Sequence, residues 1–334
     1  MRIRRREFIT LLGGAAAVGG AAAWPLAARA QQGVRLPTIG YLQPATPSTR
    51  PEWTAAFLQR LRELGWIEGR TVTIEKRFAE GRPERYVEIA AELVRRKVDV
   101  IVTPGTETAV VAKQTTSLIP IVFVAAGDPV GSRLVASLAR PGGNVTGLSM
   151  QNTDLAGKRL EVLRDLVPGL RRLAILANTT DNSIQALTVG EAQAAALALG
   201  LDVNTVEVAR AEDIAPAFEQ LKDRADALYV TGGPLLIAND AKIRTLAIAT
   251  RLPTIYNTRE SVEAGGLISY GADLPVLYRR SADFVDKILR GTKPGDIPVE
   301  QPTKFDLVIN LTTAKALGLT IPESFLLRAD QVIE

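Results

Sequence analysis

The chain has 334 residues, with 40 Lys and Arg against 36 Asp and Glu, and it contains neither Cys nor His. That absence excludes disulfide frameworks, thiolate nucleophiles, zinc sites built on imidazole or sulfur, and His-based acid–base catalysis. The net charge of +4 sits in the first thirty residues, where Arg2, Arg4, Arg5, Arg6 and Arg29 face only Glu7, so the remainder is neutral and offers no basic footprint for nucleic acid.

Residues 1–30 read as an export signal, with a basic start, a Gly- and Ala-rich apolar run from Ile9 to Ala23, and a small-residue exit at Ala28-Arg29-Ala30. Arg5-Arg6-Glu7-Phe8-Ile9 fits the twin-arginine pattern. The run falls short of the roughly 20 strongly apolar residues that a spanning helix needs. Cleavage after Ala30 and a mature chain working in the periplasm are therefore expected.

Downstream, short β-branched runs alternate with helical patterns. Strands are predicted at 38–42, 71–78, 98–103, 121–124, 145–150, 173–177, 202–208, 227–231, 254–256 and 267–270. Trp53, Phe57, Leu61 and Leu64 make one helical stripe, and Val87, Ala90, Ala91 and Val94 another. This alternation predicts an α/β fold of parallel sheets covered by helices. Ten or more strands make one sheet unusually wide, so two lobes are expected. The first crossing between them is placed near Met150–Asp154. Gly265-Gly266 with Gly271-Ala272-Asp273 brackets a second, and Lys293-Pro294-Gly295-Asp296-Ile297-Pro298 supplies a third stretch of linker-like composition. Arg95-Arg96-Lys97 near Asp99, and Arg279-Arg280 near Asp283 and Asp286, read as solvated helix faces.

In open α/β sheets ligands lie beyond the carboxyl ends of the strands, so the turns there are the places to search. Thr103-Pro104-Gly105-Thr106 runs from a strand into a helix. Thr106 can cap that helix while free N–H groups meet an anion, or it can simply begin the element. Asp128, in Gly127-Asp128-Pro129, suits a ligand amine or hydroxyl and equally suits a turn. Asn178 and Thr179, Gly232-Gly233-Pro234, Tyr256-Asn257 and Tyr270-Gly271-Ala272-Asp273 follow strands of the later part. Glycines there admit a ligand to the backbone or relieve a tight turn. A Tyr there walls a pocket or packs half-buried. No Gly-x-x-x-x-Gly-Lys-Ser/Thr loop, Ser-x-x-Lys or Gly-x-Ser-x-Gly is present, and no catalytic residue is assigned. A secreted enzyme working without His or Cys stays open as an alternative.

Several stretches resemble a known family. They are Ile39-Gly40-Tyr41-Leu42, Phe57-Leu58-Gln59-Arg60-Leu61-Arg62-Glu63-Leu64-Gly65-Trp66, Phe123-Val124-Ala125-Ala126-Gly127-Asp128-Pro129-Val130-Gly131, Arg140-Pro141-Gly142-Gly143-Asn144-Val145-Thr146-Gly147, Leu267-Ile268-Ser269-Tyr270-Gly271 and Leu307-Val308-Ile309-Asn310-Leu311 with the residues to Leu319. Together they are similar to the substrate-binding proteins of ABC importers, in their tryptophan-binding-like branch. The resemblance implies a type I periplasmic binding fold, in which two Rossmann-like lobes are joined by three crossovers. It sets lobe 1 at 35–150 plus 268–295 and lobe 2 at 151–267 plus 296–334. A small, amino-acid-like solute would be captured between them by hinge closure and delivered to a membrane permease. By position, Gln43, Thr106 and Asp128 of lobe 1 and Asn178, Gly232 and Tyr256 of lobe 2 would line the cleft, with Asn152 and Asp273 beside crossovers. Few aromatics stand at these turns, which argues against a stacked indole. No cofactor, metal or nucleic acid is implied, a monomer is expected, and a sensor handing its ligand state to a membrane receptor would share the same fold.

Overall fold

Thr38–Gln43 (β1) begins a run of strand and helix that repeats through most of the chain. A computed structural model describes residues 35–151, 154–178 and 183–334. The chain divides at Leu36–Pro37, and every element named below belongs to the unit Pro37–Glu334. After β1 come α1 (Pro51–Glu63), β2 (Thr73–Phe78), α2 (Glu84–Arg95), β3 (Val100–Pro104), α3 (Thr106–Thr115), β4 (Ile121–Ala126) and β5 (Val145–Ser149). The five strands form a parallel sheet in the order β2-β1-β3-β4-β5. β3, β4 and β5 are buried throughout, as continuous apolar strands between helical layers must be.

The second lobe continues with α4 (Ala156–Leu166), β6 (Arg172–Asn178), α5 (Ser183–Ala198), β7 (Asp202–Val208), α6 (Ile214–Leu221), β8 (Ala227–Val230) and α7 (Pro234–Ala238). Then follow α8 (Asp240–Ala249), β9 (Thr254–Tyr256), α9 (Arg259–Glu263) and β10 (Ile268–Ala272). The long helix α10 (Leu274–Leu289) returns to the first lobe. β11 (Phe305–Asn310), α11 (Leu311–Ala316), α12 (Glu323–Leu326) and β12 (Gln331–Ile333) complete the second. Its sheet has the order β12-β11-β10-β9-β8-β6-β7. Among the described residues, no helix is long and apolar enough to cross a membrane.

The two-lobed α/β fold with three crossings agrees with the expectation from sequence, and four details differ. β11 and β12 were not anticipated, and β10 pairs with β11 antiparallel, so the second sheet is mixed. Because β10 hydrogen-bonds within the second sheet, the chain leaves that lobe at Asp273, not at 268. The segment after α10 stays on the first lobe past 295, for the Thr146 hydroxyl donates to the Ile297 carbonyl (2.7 Å) and the Ser149 N–H to that of Glu300 (2.9 Å). The third crossing therefore lies between Glu300 and Phe305. On α2 the buried face is Tyr86, Ile89, Ala90 and Leu93, while Val87 is 57 % exposed. The same i, i+3, i+4, i+7 spacing is shifted by one residue, toward the set that removes more apolar area from water.

The charges at Arg279, Arg280, Asp283 and Asp286 are not simply a solvated face. α10 packs on α1 through Trp53, Phe57, Leu61, Tyr278 and Val285. Around that seam Arg60 donates to Asp283 (2.8 Å), Arg279 chelates Glu63 (2.9 and 2.5 Å), and the Trp66 indole N–H donates to Asp286 (2.9 Å). Arg279 and Arg60 hold the Glu63 carboxyl down at about 2. A carboxylate favoured by the fold contributes stability above its ordinary value of 4.5, and that contribution is lost as pH falls toward 2. The chain and its Glu63→Gln variant should thus differ slightly in melting temperature at pH 7 and converge below pH 4.5. The difference is small because the cluster is open to water. Melts at stepped pH check this, and a gap that widens in acid contradicts it.

Candidate functional site

A cavity of ≈ 140 Å³ lies between the two sheets, lined by residues of both lobes. Its size is close to that of an engineered cavity that admits a benzene ring. The first lobe contributes the turns after β1, β3 and β4, through Gln43, Gly105, Thr106, Gly127 and Asp128. The second contributes Thr231 and Gly233 after β8, Asn257 and Thr258 after β9, and Thr188 of α5. The carboxyl ends of the parallel strands of both sheets thus face one space, as the topology requires.

The first-lobe turns are tied to each other. Thr106 Oγ1 accepts from the Gly127 N–H (3.0 Å), linking the turn after β3 to that after β4. Asp128 Oδ1 accepts from the Val130 and Gly131 N–H groups (3.1 and 2.8 Å), which folds its own loop into an Asx turn. Gly105 caps α3 at φ 84°, and no side chain occupies that helix start. The N–H groups at the start of α3 carry partial positive charge. Glu107 and Asp128 are the charged residues of the lining, and neither Lys nor Arg joins them among the described residues.

One wall is aromatic. Trp53 of α1 and Tyr278 of α10 meet with ring centroids 5.6 Å apart, tilted by 40°. The Tyr278 hydroxyl pairs with the Gln43 side chain, and burial pushes it well above its ordinary range. The Trp53 indole N–H crosses to the second lobe and donates to Glu260 Oε1 of α9 (2.6 Å). Burial raises the Glu260 carboxyl, against the opposing pull of Trp53 and Arg50.

Of the residues singled out from sequence, Gln43, Thr106 and Asp128 line the cavity. Asn152 lies outside the described residues, as does Thr179. The other four lie outside the cavity lining. Tyr256 is buried in the second lobe's core, its ring against the Gly266 backbone. Successive strand residues face opposite sides, so it is Asn257 that reaches the cavity. Gly232 makes room for that side chain, since a Cβ there would stand 2.3 Å from Asn257 Nδ2. Asp273 starts α10 by accepting from the Val276 N–H (3.1 Å) and lies 3.6 Å from Arg259. Asn178 ends β6, 5 % exposed and outside the cavity lining. Sequence reasoning passed over Trp53 and Tyr278, which sit inside helices and not at strand-end turns. Their helical spacing signals core packing, and only the return of α10 to the first lobe brings them together.

A family model for ABC transporter substrate binding proteins matches residues 43–333. A tyrosine-binding protein of Clostridioides difficile (strain R20291) is 28 % identical over 79 % of this chain and 75 % of its own length. Among solved structures, the ABC domain in complex with L-Trp from Streptococcus pneumonia superposes with a TM-score of 0.83 at 29 % identity, covering 89 % of this chain and 100 % of that one. The ligand-free, open structure of a substrate-binding protein with adhesive properties from Clostridium difficile gives 0.63 at 25 % identity, covering 89 % and 99 %. More distant periplasmic binding proteins share the type I fold. On a match that spans almost all of the described residues, this chain belongs to the ABC transporter substrate binding protein family.

Proposed function

We propose that the protein is the extracytoplasmic solute-binding component of an ABC importer, exported by the signal in residues 1–30 and cleaved after Ala30. It captures a small amino-acid-like solute between its lobes and passes it unaltered to a membrane permease. The observation that carries this reading is the cavity itself, walled on both sides by strand-end turns of the two sheets. The chemistry of the lining suits a zwitterion. Glu107 and Asp128 complement an ammonium group, the positive start of α3 takes a carboxylate, and Trp53 with Tyr278 offers an apolar wall to a side chain. The Tyr- and Trp-binding relatives support the same ligand class.

Closure is part of the reading. The chain superposes better on the ligand-bound relative than on the open one, which supports a closed arrangement of the lobes. Ligand contacts made from both lobes supply the differential affinity that populates such a state, and closure presents a composite surface to the permease.

A thermal-shift screen of the purified protein against L-tyrosine, L-tryptophan, other amino acids, short carboxylates and amides tests the proposal. A ligand at 100 times its Kd adds about 2.7 kcal/mol to stability, so a clear rise in melting temperature is expected for at least one amino acid. A flat screen together with turnover of any of these compounds would give the site to an enzyme.

A further inference from the structure

Beside the cavity, two polar contacts run from the start of α1 to the second lobe. Arg50 Nη2 is 2.9 Å from Asp240 Oδ2, with the two side chains only 16 % and 11 % exposed. Three residues on, Trp53 donates to Glu260. The guanidinium of Arg50 also lies over the Trp53 ring, 5.9 Å from its centroid, so the two contacts brace each other. Arg50 takes left-handed backbone angles (φ 50°, ψ 56°), which a residue bearing a Cβ adopts only at a cost. Strain of this kind persists where surrounding structure fixes it, and it gathers at working sites. On the far side, Arg244 holds the same Asp240 oxygen from one turn along α8 (3.1 Å). Asp240 therefore keeps a partner when the lobes part, and Arg50 alone gains or loses its contact.

Taking the solute-binding reading as given, we infer that Arg50 and Asp240, with Trp53 and Glu260, form an interlobe clasp that sets how long the closed protein holds its ligand. Neither Arg50 nor Asp240 lines the cavity, so the pair acts through lobe geometry and not through ligand contact. Trp53 belongs to both, which couples occupancy of the cavity to engagement of the clasp. Arg50 and Asp240 are positioning residues: they govern release, while selectivity among ligands stays with the lining.

The test compares the protein with its Arg50→Gln, Asp240→Asn and doubly substituted variants. Release of radiolabelled L-tyrosine after rapid dilution, equilibrium dialysis against L-tyrosine and L-tryptophan, and small-angle scattering without ligand are the readouts. Each single variant should release L-tyrosine roughly tenfold faster, the factor that 1.4 kcal/mol represents. Association should change little. The double variant should be no faster than the singles, and the ratio of the two affinities should stay that of the parent. Without ligand, the variants should scatter as more extended particles. Unchanged far-ultraviolet circular dichroism and a cooperative ligand-free melt show that the variants fold. Release at the parental rate, additive effects in the double variant or a shifted affinity ratio overturns the clasp. If the parent binds neither amino acid, the ligand reading fails separately, and scattering curves identical to the parent's then overturn the clasp as well.

Discussion

Trp53→Phe is expected to cost roughly 1–3 kcal/mol of stability at pH 7, because it leaves the buried Glu260 carboxylate without the indole donor. The loss should be distinctly smaller at pH 4. Burial raises the Glu260 carboxyl above its ordinary 4.5, so the folded state holds this proton more tightly than the unfolded state. Its contribution is then most favourable below 4.5 and declines as pH rises through the elevated value. Removing the Trp53 N–H removes an opposing pull and raises the carboxyl further, so the deficit grows with pH. Arg50 opposes the shift and Glu263 adds to it, and both remain in the variant. Glu260→Gln keeps an acceptor for the indole and should abolish this pH dependence. Trp53→Ala adds the cavity term, for a total of about 3–5 kcal/mol. Urea unfolding at the two pH values decides the matter, and an equal loss at both would refute the account.

Gly271→Ala should be the more damaging of two glycine substitutions that press on Asn257, at about 3 kcal/mol or more. A Cβ at Gly271 would stand 2.1 Å from the Asn257 carbonyl oxygen. β9 and β10 are paired in register through Ile255 with Ile268 and Tyr256 with Ser269, so that oxygen cannot retreat without breaking the ladder. At Gly232 the obstructed atom is the flexible Nδ2 of Asn257, and the added cost is the left-handed φ of 87°. Gly232→Ala should therefore fold with a penalty of about 1–2 kcal/mol and lose ligand affinity, since Asn257 must leave its place on the cavity wall. Melting and ligand titration separate the two, for a kcal/mol moves the midpoint of a domain this size by about 2–4 °C. A Gly271→Ala protein melting within that margin of the parent would count against the clash.

How far the site could be read in advance depended on where its residues lie along the chain. Gln43, Thr106 and Asp128 were legible because each follows a predicted strand of the first sheet, and the carboxyl ends of parallel strands share one edge. The same rule applied to the second sheet chose Gly232 and Tyr256, each one residue from the positions that reach the cavity. A strand-end turn fixes the neighbourhood, but which neighbour faces the ligand depends on the last turn of the pleat. The tie between Arg279 and Glu63, 216 residues apart, had no local signature.

The sequence by itself determined the class of fold and the exclusion of His and Cys chemistry, because these follow from periodicity and composition along contiguous stretches. Tertiary structure alone decided that Tyr278 of α10 meets Trp53, that β11 enters the second sheet antiparallel, and that Arg50 meets Asp240 across the cleft. Those contacts join residues far apart in the chain. Their energy arises only once distant segments have packed together, within one lobe for the first two and across the cleft for the last.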